Sequence, residues 1–329
     1  MKELWNIYHH DIPEFIKEYA ATKEMQRLKD VGMNCGCEYT NLKIFTTRYY
    51  YSRYEHSIGV ALIIWHFTKD IKQSIAGLLH DIATPVFAHA IDFLNQDYIN
   101  QESTEDNTDK IIENSNEIMS LLDKYQLTID DIKDYHMYPI ADNDSPQLSA
   151  DRLEYTLGNL YNYGYCELDE IEKFYRDLIV DVNEHGIEEI QFKTKDIAYQ
   201  FIQKAFLTFE IYVADSDRFS MQCLADIVRY AVNHQIFSKN DLYSVESEII
   251  QRIEDDYKCK QLWHQYKNYS QVVISKEKPS SGYYINVNAK RRYIDPLVNK
   301  ERVSIVFEDI DGMIKEFVGR DFNYWVGAK

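Results

Sequence analysis

Residues 70–82 read as one strongly apolar helix, and that helix ends on His80 and Asp81. An ionised aspartate carried into apolar surroundings costs roughly several kcal/mol unless something cationic sits beside it. An imidazole next to a carboxylate suits a divalent metal, which would supply that charge. Taken alone, the dipeptide is explained better by a capped, solvated helix end.

Two further segments shift that balance. YSRYEHSIGV places His56 on a separate helix with Arg53 one turn earlier, and SADRLEYTL places Asp151 near the start of a third helix. Three helices can bring His56, His80, Asp81 and Asp151 to one ion, with open positions for water and phosphate, as a catalytic metal requires.

The rest of the chain supplies the frame. With 11 glycines and 6 prolines in 329 residues, long helices fit better than a turn-rich sandwich. Helical spacing runs over 13–33, 55–69, 70–82, 86–98, 109–124, 128–135, 149–163, 167–182 and 194–237. Within the last stretch, 196–213 and 216–233 read as an antiparallel pair, and 100–108 reads as a loop. VVIS, YYINVN and VSIVF after residue 270 read as short strands. The expected fold is mainly α, a helical body over 1–240 followed by a small C-terminal α+β subdomain over 241–329.

Charge and cysteine content narrow the class. A net charge of -18 argues against sequence-independent binding of nucleic acid or an anionic membrane, while leaving room for a phosphorylated small molecule in a locally basic pocket. No apolar run is long enough to span a bilayer, and the first residues lack a signal-peptide core. Five scattered cysteines fit a reducing, cytoplasmic setting, and the Cys35/Cys37 pair lacks a second pair at zinc-finger spacing. The 27 tyrosines are expected mostly at helix interfaces.

The ordered pattern R-x-x-H-S, L-L-H-D-I with P-x-F-x-H, and A-D-R-L-x-Y resembles the HD superfamily of metal-dependent phosphohydrolases. Within it, the deoxynucleoside triphosphate triphosphohydrolase branch is the most similar. Met25-Gln26-Arg27-Leu28, the basic trio Lys290-Arg291-Arg292 and Ile294-Asp295-Pro296 also resemble elements of that branch. The resemblance implies an HD-domain helical bundle with His56, His80, Asp81 and Asp151 as ligands of one divalent ion (Mn, Fe, Mg, Ni, Co or Zn). It further implies Arg53 near phosphate, Tyr155 and Asn159 on the substrate side, and His89 orienting a water or phosphate. The basic trio reads first as a solvated strand edge; the resemblance offers, as the alternative, contact with nucleotide phosphates across a subunit interface of a homo-oligomer.

This chain departs from the branch at three places. Thr84 stands where a histidine is usual, Thr104-Glu105 where a His-Glu pair is usual, and Gly158-Asn159 where arginine and aspartate are usual. Each lost proton-transfer group typically removes about 10²–10⁴-fold in rate. The expected activity is hydrolysis of a nucleotide or related small phosphate ester by metal-activated water, with Arg53 and His89 as catalytic residues. The alternative is a weak or inactive HD-fold nucleotide-binding sensor or scaffold. An iron oxygenase would need a second metal, for which only His89 and His136 are to hand, and His136 reads as a loop histidine.

Overall fold

Helices dominate the computed structural model, which describes residues 1–95, 97, 99 and 107–329. The first five are α1 (Lys2–Tyr8), α2 (Glu14–Ala20), α3 (Lys23–Arg27), α4 (Arg53–Thr68) and α5 (Ile71–Leu79). Then come α6 (Ala90–Leu94), α7 (Thr108–Asn114), α8 (Asn116–Tyr125), α9 (Ala150–Asn162) and α10 (Leu168–Arg176). The hairpin β1 (Leu178–Val182) and β2 (Glu188–Phe192) precedes α11 (Lys195–Tyr212) and α12 (Asp215–Asn233). The chain continues through α13 (Glu246–Asp255), α14 (Tyr257–Asn268), β3 (Val272–Ser275), β4 (Tyr284–Ile285), β5 (Leu297–Val298) and β6 (Glu301–Arg302). It closes with α15 (Val303–Val306), α16 (Glu308–Gly319) and β7 (Trp325–Ala328).

α4 is the axis. A capping box starts it: the Ser52 hydroxyl accepts from Glu55 N and the Glu55 carboxylate accepts from Ser52 N. Every residue from His56 to Ile64 is buried, so the helix is covered on all sides by α1, α5 and α9. The core around it includes residues of α1, α2, α5, α9, α10 and α11. A second core gathers 35–45, 86–93, α12, α13 and α14. The candidate site lies where the two meet.

Two small sheets tie the C-terminal residues to this body. One runs β1-β2-β5-β6, with β2 and β5 parallel and the other pairs antiparallel; Leu178 faces Phe192 and Gln191 faces Leu297. The other runs β3-β7-β4, all antiparallel, with Val272 opposite Ala328.

Several helical expectations are corrected. The 13–33 stretch breaks at Thr22, which leaves helical dihedrals and turns its hydroxyl to Tyr19 O. The 109–124 stretch breaks at Ser115, whose hydroxyl caps α8. Helix does not resume at 86, because Phe87 and Ala88 take positive φ (61° and 42°) and Phe87 packs its ring beside Tyr39 and Trp263. Residues 128–135 form only short 3₁₀ turns at Ile129–Asp131 and, further on, Tyr135–Met137.

The 167–182 helix ends at Arg176, since the Asp177 carboxylate binds Thr194 N and Lys193 N and folds β-rich Leu178–Val182 into the hairpin. α11 and α12 are not packed as an antiparallel pair: α11 lies on α9 and α10, α12 on α6 and α14. VSIVF is helical, because the Asp295 carboxylate accepts from Ser304 N and Oγ and caps its first turn. Thr104 and Glu105 lie outside the described residues.

Candidate metal centre and cleft

The end of α5, the first turn of α9 and the second turn of α4 point at one spot. His56 Nε2 is 2.9 Å from Asp151 Oδ1 and 3.9 Å from Asp81 Oδ2. His80 Nε2 is 3.4 Å from Asp81 Oδ2 and 3.6 Å from Asp151 Oδ1. The other ring nitrogens are already committed. His56 Nδ1–H donates to Glu154 Oε2 at 2.5 Å, and His80 Nδ1–H donates to the Gly77 carbonyl at 2.7 Å. Both Nε2 lone pairs therefore face the carboxylates, the arrangement that metal-binding histidines adopt. The donor set fits a divalent cation, and His56, His80 and Asp151 have ligand atoms within 4.8 Å of one another.

Three of the four candidate ligands, His56, His80 and Asp81, have a fixed support. Tyr51 donates to Glu154, which stands behind His56. Gly59 and Gly158 make this possible: a Cβ on Gly59 would lie 2.5 Å from Glu154 Oε1, and one on Gly158 2.5 Å from the Tyr51 hydroxyl. The Tyr51 ring thus occupies the space that an arginine at 158 would need. Arg53 Nη1 donates to both Asp81 oxygens at 2.9 Å, and Thr84 Oγ1 donates to Asp81 Oδ1 at 2.7 Å. Arg27 clamps the turn that follows, donating to Ile82 O at 3.1 Å and Thr84 O at 2.7 Å.

Burial and charge act against each other here. Burial opposes ionisation of Asp81 and Asp151, yet Arg53 beside the first and His56 beside the second hold both well below the usual carboxylate range. Burial disfavours the His56 imidazolium, but Asp151 and Glu154 together raise it to about 10. Proton or metal, the cluster calls for positive charge at the His56 imidazole.

The centre opens into a cleft of about 1050 Å³, counted out to its mouth. Tyr155, Asn159 and His89 line it, as do Asn34, Phe45, Tyr163, Ile211, Tyr212 and Met221. Lys290 and Arg292 also line it, from the same chain as the metal centre. Arg291, between them, turns away to Arg320 O and the Phe322 ring. His89 Nδ1–H donates to Asp92 Oδ2 at 3.0 Å, while its Nε2 is 3.3 Å from Arg292 Nη2. Burial, then Arg292, lower its pKa to about 4, so the ring is neutral at pH 7.

A second cavity shares His80, Asp81, His89 and Tyr135 with the first and continues past Thr84, Lys133 and Asp134. Tyr135 stands between them, its ring 4.9 Å from that of His80. His136 follows it, half-exposed, with its ring nitrogens facing Asp134 and Asp142.

Residues 53–155 match the HD domain family. Over that third of its length the chain carries an HD-superfamily domain. The HD-domain chain is 28% identical to the uncharacterised protein YdhJ of Bacillus subtilis over 73% of this chain and 71% of that one. It is 24% identical to the metal-dependent phosphohydrolase cns2 of Cordyceps militaris, over 47% of this chain and 43% of the relative. A Dictyostelium discoideum deoxynucleoside triphosphate triphosphohydrolase SAMHD1 homolog matches at 28% over 26% of this chain and 18% of its own. Among solved structures, a hypothetical protein from Aquifex aeolicus shares the fold, with a TM-score of 0.66 over 96% of this chain and 93% of that one at 17% identity.

Sequence reasoning missed Glu154, Tyr51, Tyr135 and Asp217. Glu154 carried a signal, a carboxylate three residues past Asp151 on the buried face of a helix. The others carried none: Tyr51 and Tyr135 sit in irregular segments among 27 tyrosines, and Asp217 lies in the polar first turn of α12. No helix among the described residues is long and apolar enough to cross a membrane.

Proposed function

We propose that this HD-domain protein is a metal-dependent phosphohydrolase acting on a nucleotide or related small phosphate ester. One observation carries the reading: two imidazole Nε2 atoms and two carboxylates converge at the wall of a cleft that Lys290 and Arg292 also line. His56, His80, Asp81 and Asp151 would hold one divalent ion (Mn, Fe, Mg, Ni, Co or Zn). Such an ion, when bound, supplies Lewis-acid polarisation of a phosphoryl oxygen and a lowered water pKa.

The chain's own groups do the rest. Glu154 and the Gly77 carbonyl fix both imidazoles. Arg53 anchors Asp81 while keeping its positive charge at the cleft wall, where charge develops on phosphorus-bound oxygens. His89, neutral with Nδ1–H on Asp92, offers Nε2 as a proton acceptor or water-orienting group. Tyr155 and Asn159 line the substrate side, and Asn159 donates to the Tyr212 hydroxyl at 2.8 Å. A second reading, a nucleotide-binding sensor with little turnover, is favoured by Thr84, whose hydroxyl is committed to Asp81 and supplies no titrating group at that position.

The test is a panel of nucleoside phosphates and p-nitrophenyl phosphate with Mn²⁺, read by chromatography beside the Asp81→Ala variant and a chelator control. Metal-dependent release of a phosphate product, lost in the variant, is expected. Nucleotide binding with no turnover under any of the metals would overturn the hydrolase reading in favour of the sensor.

A further inference from the structure

Glu246, the first residue of α13, is fully buried and lines neither cavity. Its Oε1 accepts from Gly32 N at 2.8 Å and, more weakly, from Phe87 N at 3.4 Å. Its Oε2 accepts from the Tyr39 hydroxyl at 2.7 Å and the Tyr50 hydroxyl at 3.5 Å. All four donors are neutral. Burial pushes the carboxyl above its ordinary range, against the pull of Gly32 N, Tyr39 and Phe87 N. A buried carboxylate held without a cation is costly, and what this one secures is a junction of backbone stretches remote in sequence.

Both stretches on Oε1 lead to the metal centre or its cleft. Gly32 pairs with Ser52 in an antiparallel bridge, Arg53 N donates to Val31 O at 2.8 Å and Met33 N to Tyr51 O at 2.9 Å. Residues 31–33 thus frame the start of α4, which carries Arg53 and His56. Phe87 leads through Ala88 to His89, which lines both cavities. Phe87 and Ala88 hold φ of 61° and 42°, a region that residues with a side chain seldom adopt and keep only where their surroundings impose it. The segment before α13 adds further ties: Val86 N donates to Leu242 O at 2.8 Å, and Arg27 joins Ser244 O to Ile82 O and Thr84 O.

Resting on the hydrolase reading above, we infer that Glu246 is a positioning residue for that reaction: its carboxylate locks the strained Phe87–Ala88 turn, which carries His89, to the 31–33 segment that frames Arg53. The reach of the side chain sets this lock, because one oxygen must meet Gly32 N and Phe87 N together. Released from it, Phe87 and Ala88 relax toward negative φ and the His89 ring leaves the buried seat that keeps it neutral. His56 and His80 have their own supports in Glu154 and Gly77 O, so metal affinity is left unchanged.

The experiment compares wild type with Glu246→Asp, which keeps the charge and loses reach, and Glu246→Gln, which keeps reach and loses the charge. The His89 ring signal is followed by NMR from pH 7.5 to 5.5 in Mg²⁺-loaded protein, assigned with His89→Gln, beside kcat and KM on a nucleoside 5′-monophosphate with Mn²⁺. In wild type and Glu246→Gln the ring should stay neutral throughout. In Glu246→Asp it should titrate toward the ordinary 6.5, with kcat down by about 10²-fold, the weight of a misplaced proton-transfer group, and KM little changed. A Glu246→Asp protein of lower Tm whose His89 still behaves as in wild type would reduce Glu246 to a structural residue and overturn the inference. So would a wild-type His89 that already titrates near 6.5. If Glu246→Asp does not fold, Glu246→Gln decides, since a titrating His89 there would show that charge and not reach sets the turn. Absence of turnover in wild type would remove the hydrolase reading, and the His89 signal would still decide whether Glu246 holds the turn.

Discussion

The metal side of the cleft and its far wall are built by different means. On the metal side the candidate ligands sit on helices or at a helix end, and three of them have a partner behind them: Glu154 behind His56, Gly77 behind His80, Arg53 and Thr84 on Asp81. The far wall is assembled from an early loop, the first turn of α12 and the irregular segment before β5, brought together by folding alone. Reactive geometry here is over-determined by local helix positions. Under the proposed function, selectivity would rest with residues remote in sequence, where a change alters what binds with less disturbance of what reacts.

The comparison breaks most sharply at Asp81. Asp81→Ala should abolish turnover and leave Arg53 a buried cation without its carboxylate, lowering stability by about 3–5 kcal/mol in chemical denaturation. A variant that keeps wild-type activity would show that the cluster is not the reactive centre. Next in size, Glu154→Gln should weaken Mn²⁺ binding by about 10–100-fold in chelator competition, since the support of an imidazole ligand is lost while the ligand itself stays. Unchanged affinity would mean that His56 is oriented by packing alone.

Gly59→Ala sharpens the same point through sterics. Its new Cβ would crowd the Glu154 carboxylate, costing about 1–3 kcal/mol, visible as a lower Tm. Away from the candidate ligands the response should be milder. His89 has a folded pKa near 4, below the ordinary 6.5, so the unfolded chain binds more protons than the folded one between those values. Its contribution to stability is therefore full above about pH 6.5 and lost as pH falls toward 4. His89→Gln should show a smaller drop in Tm between pH 7 and pH 5 than wild type, with the two curves converging in acid. Parallel curves would remove His89 from the acid response.

Much of the metal side was legible in the chain. His56, His80, Asp81 and Asp151 are found together, because each sits at a fixed offset from a helix start or end that capping residues mark. The far wall was not legible: no periodicity links Asn34, Asp217 and Lys290, and only tertiary packing makes them neighbours. Secondary structure failed where side chains overrode propensity. The Asp295 cap makes β-branched Val303–Val306 helical, and the Asp177 cap ends α10 early enough for residues 178–182 to become a strand. In the first case a helical turn hides in a strand-like run, and in the second a strand hides behind helical spacing.

That Lys290 and Arg292 reach the centre of their own chain decides how defects combine genetically. A site shared between subunits lets two different inactive copies repair each other, because one composite site receives an intact half from each. Here Asp81→Ala and Arg292→Gln damage the same cleft of one chain. Mixing the two proteins, or expressing both alleles together, should yield no restored activity.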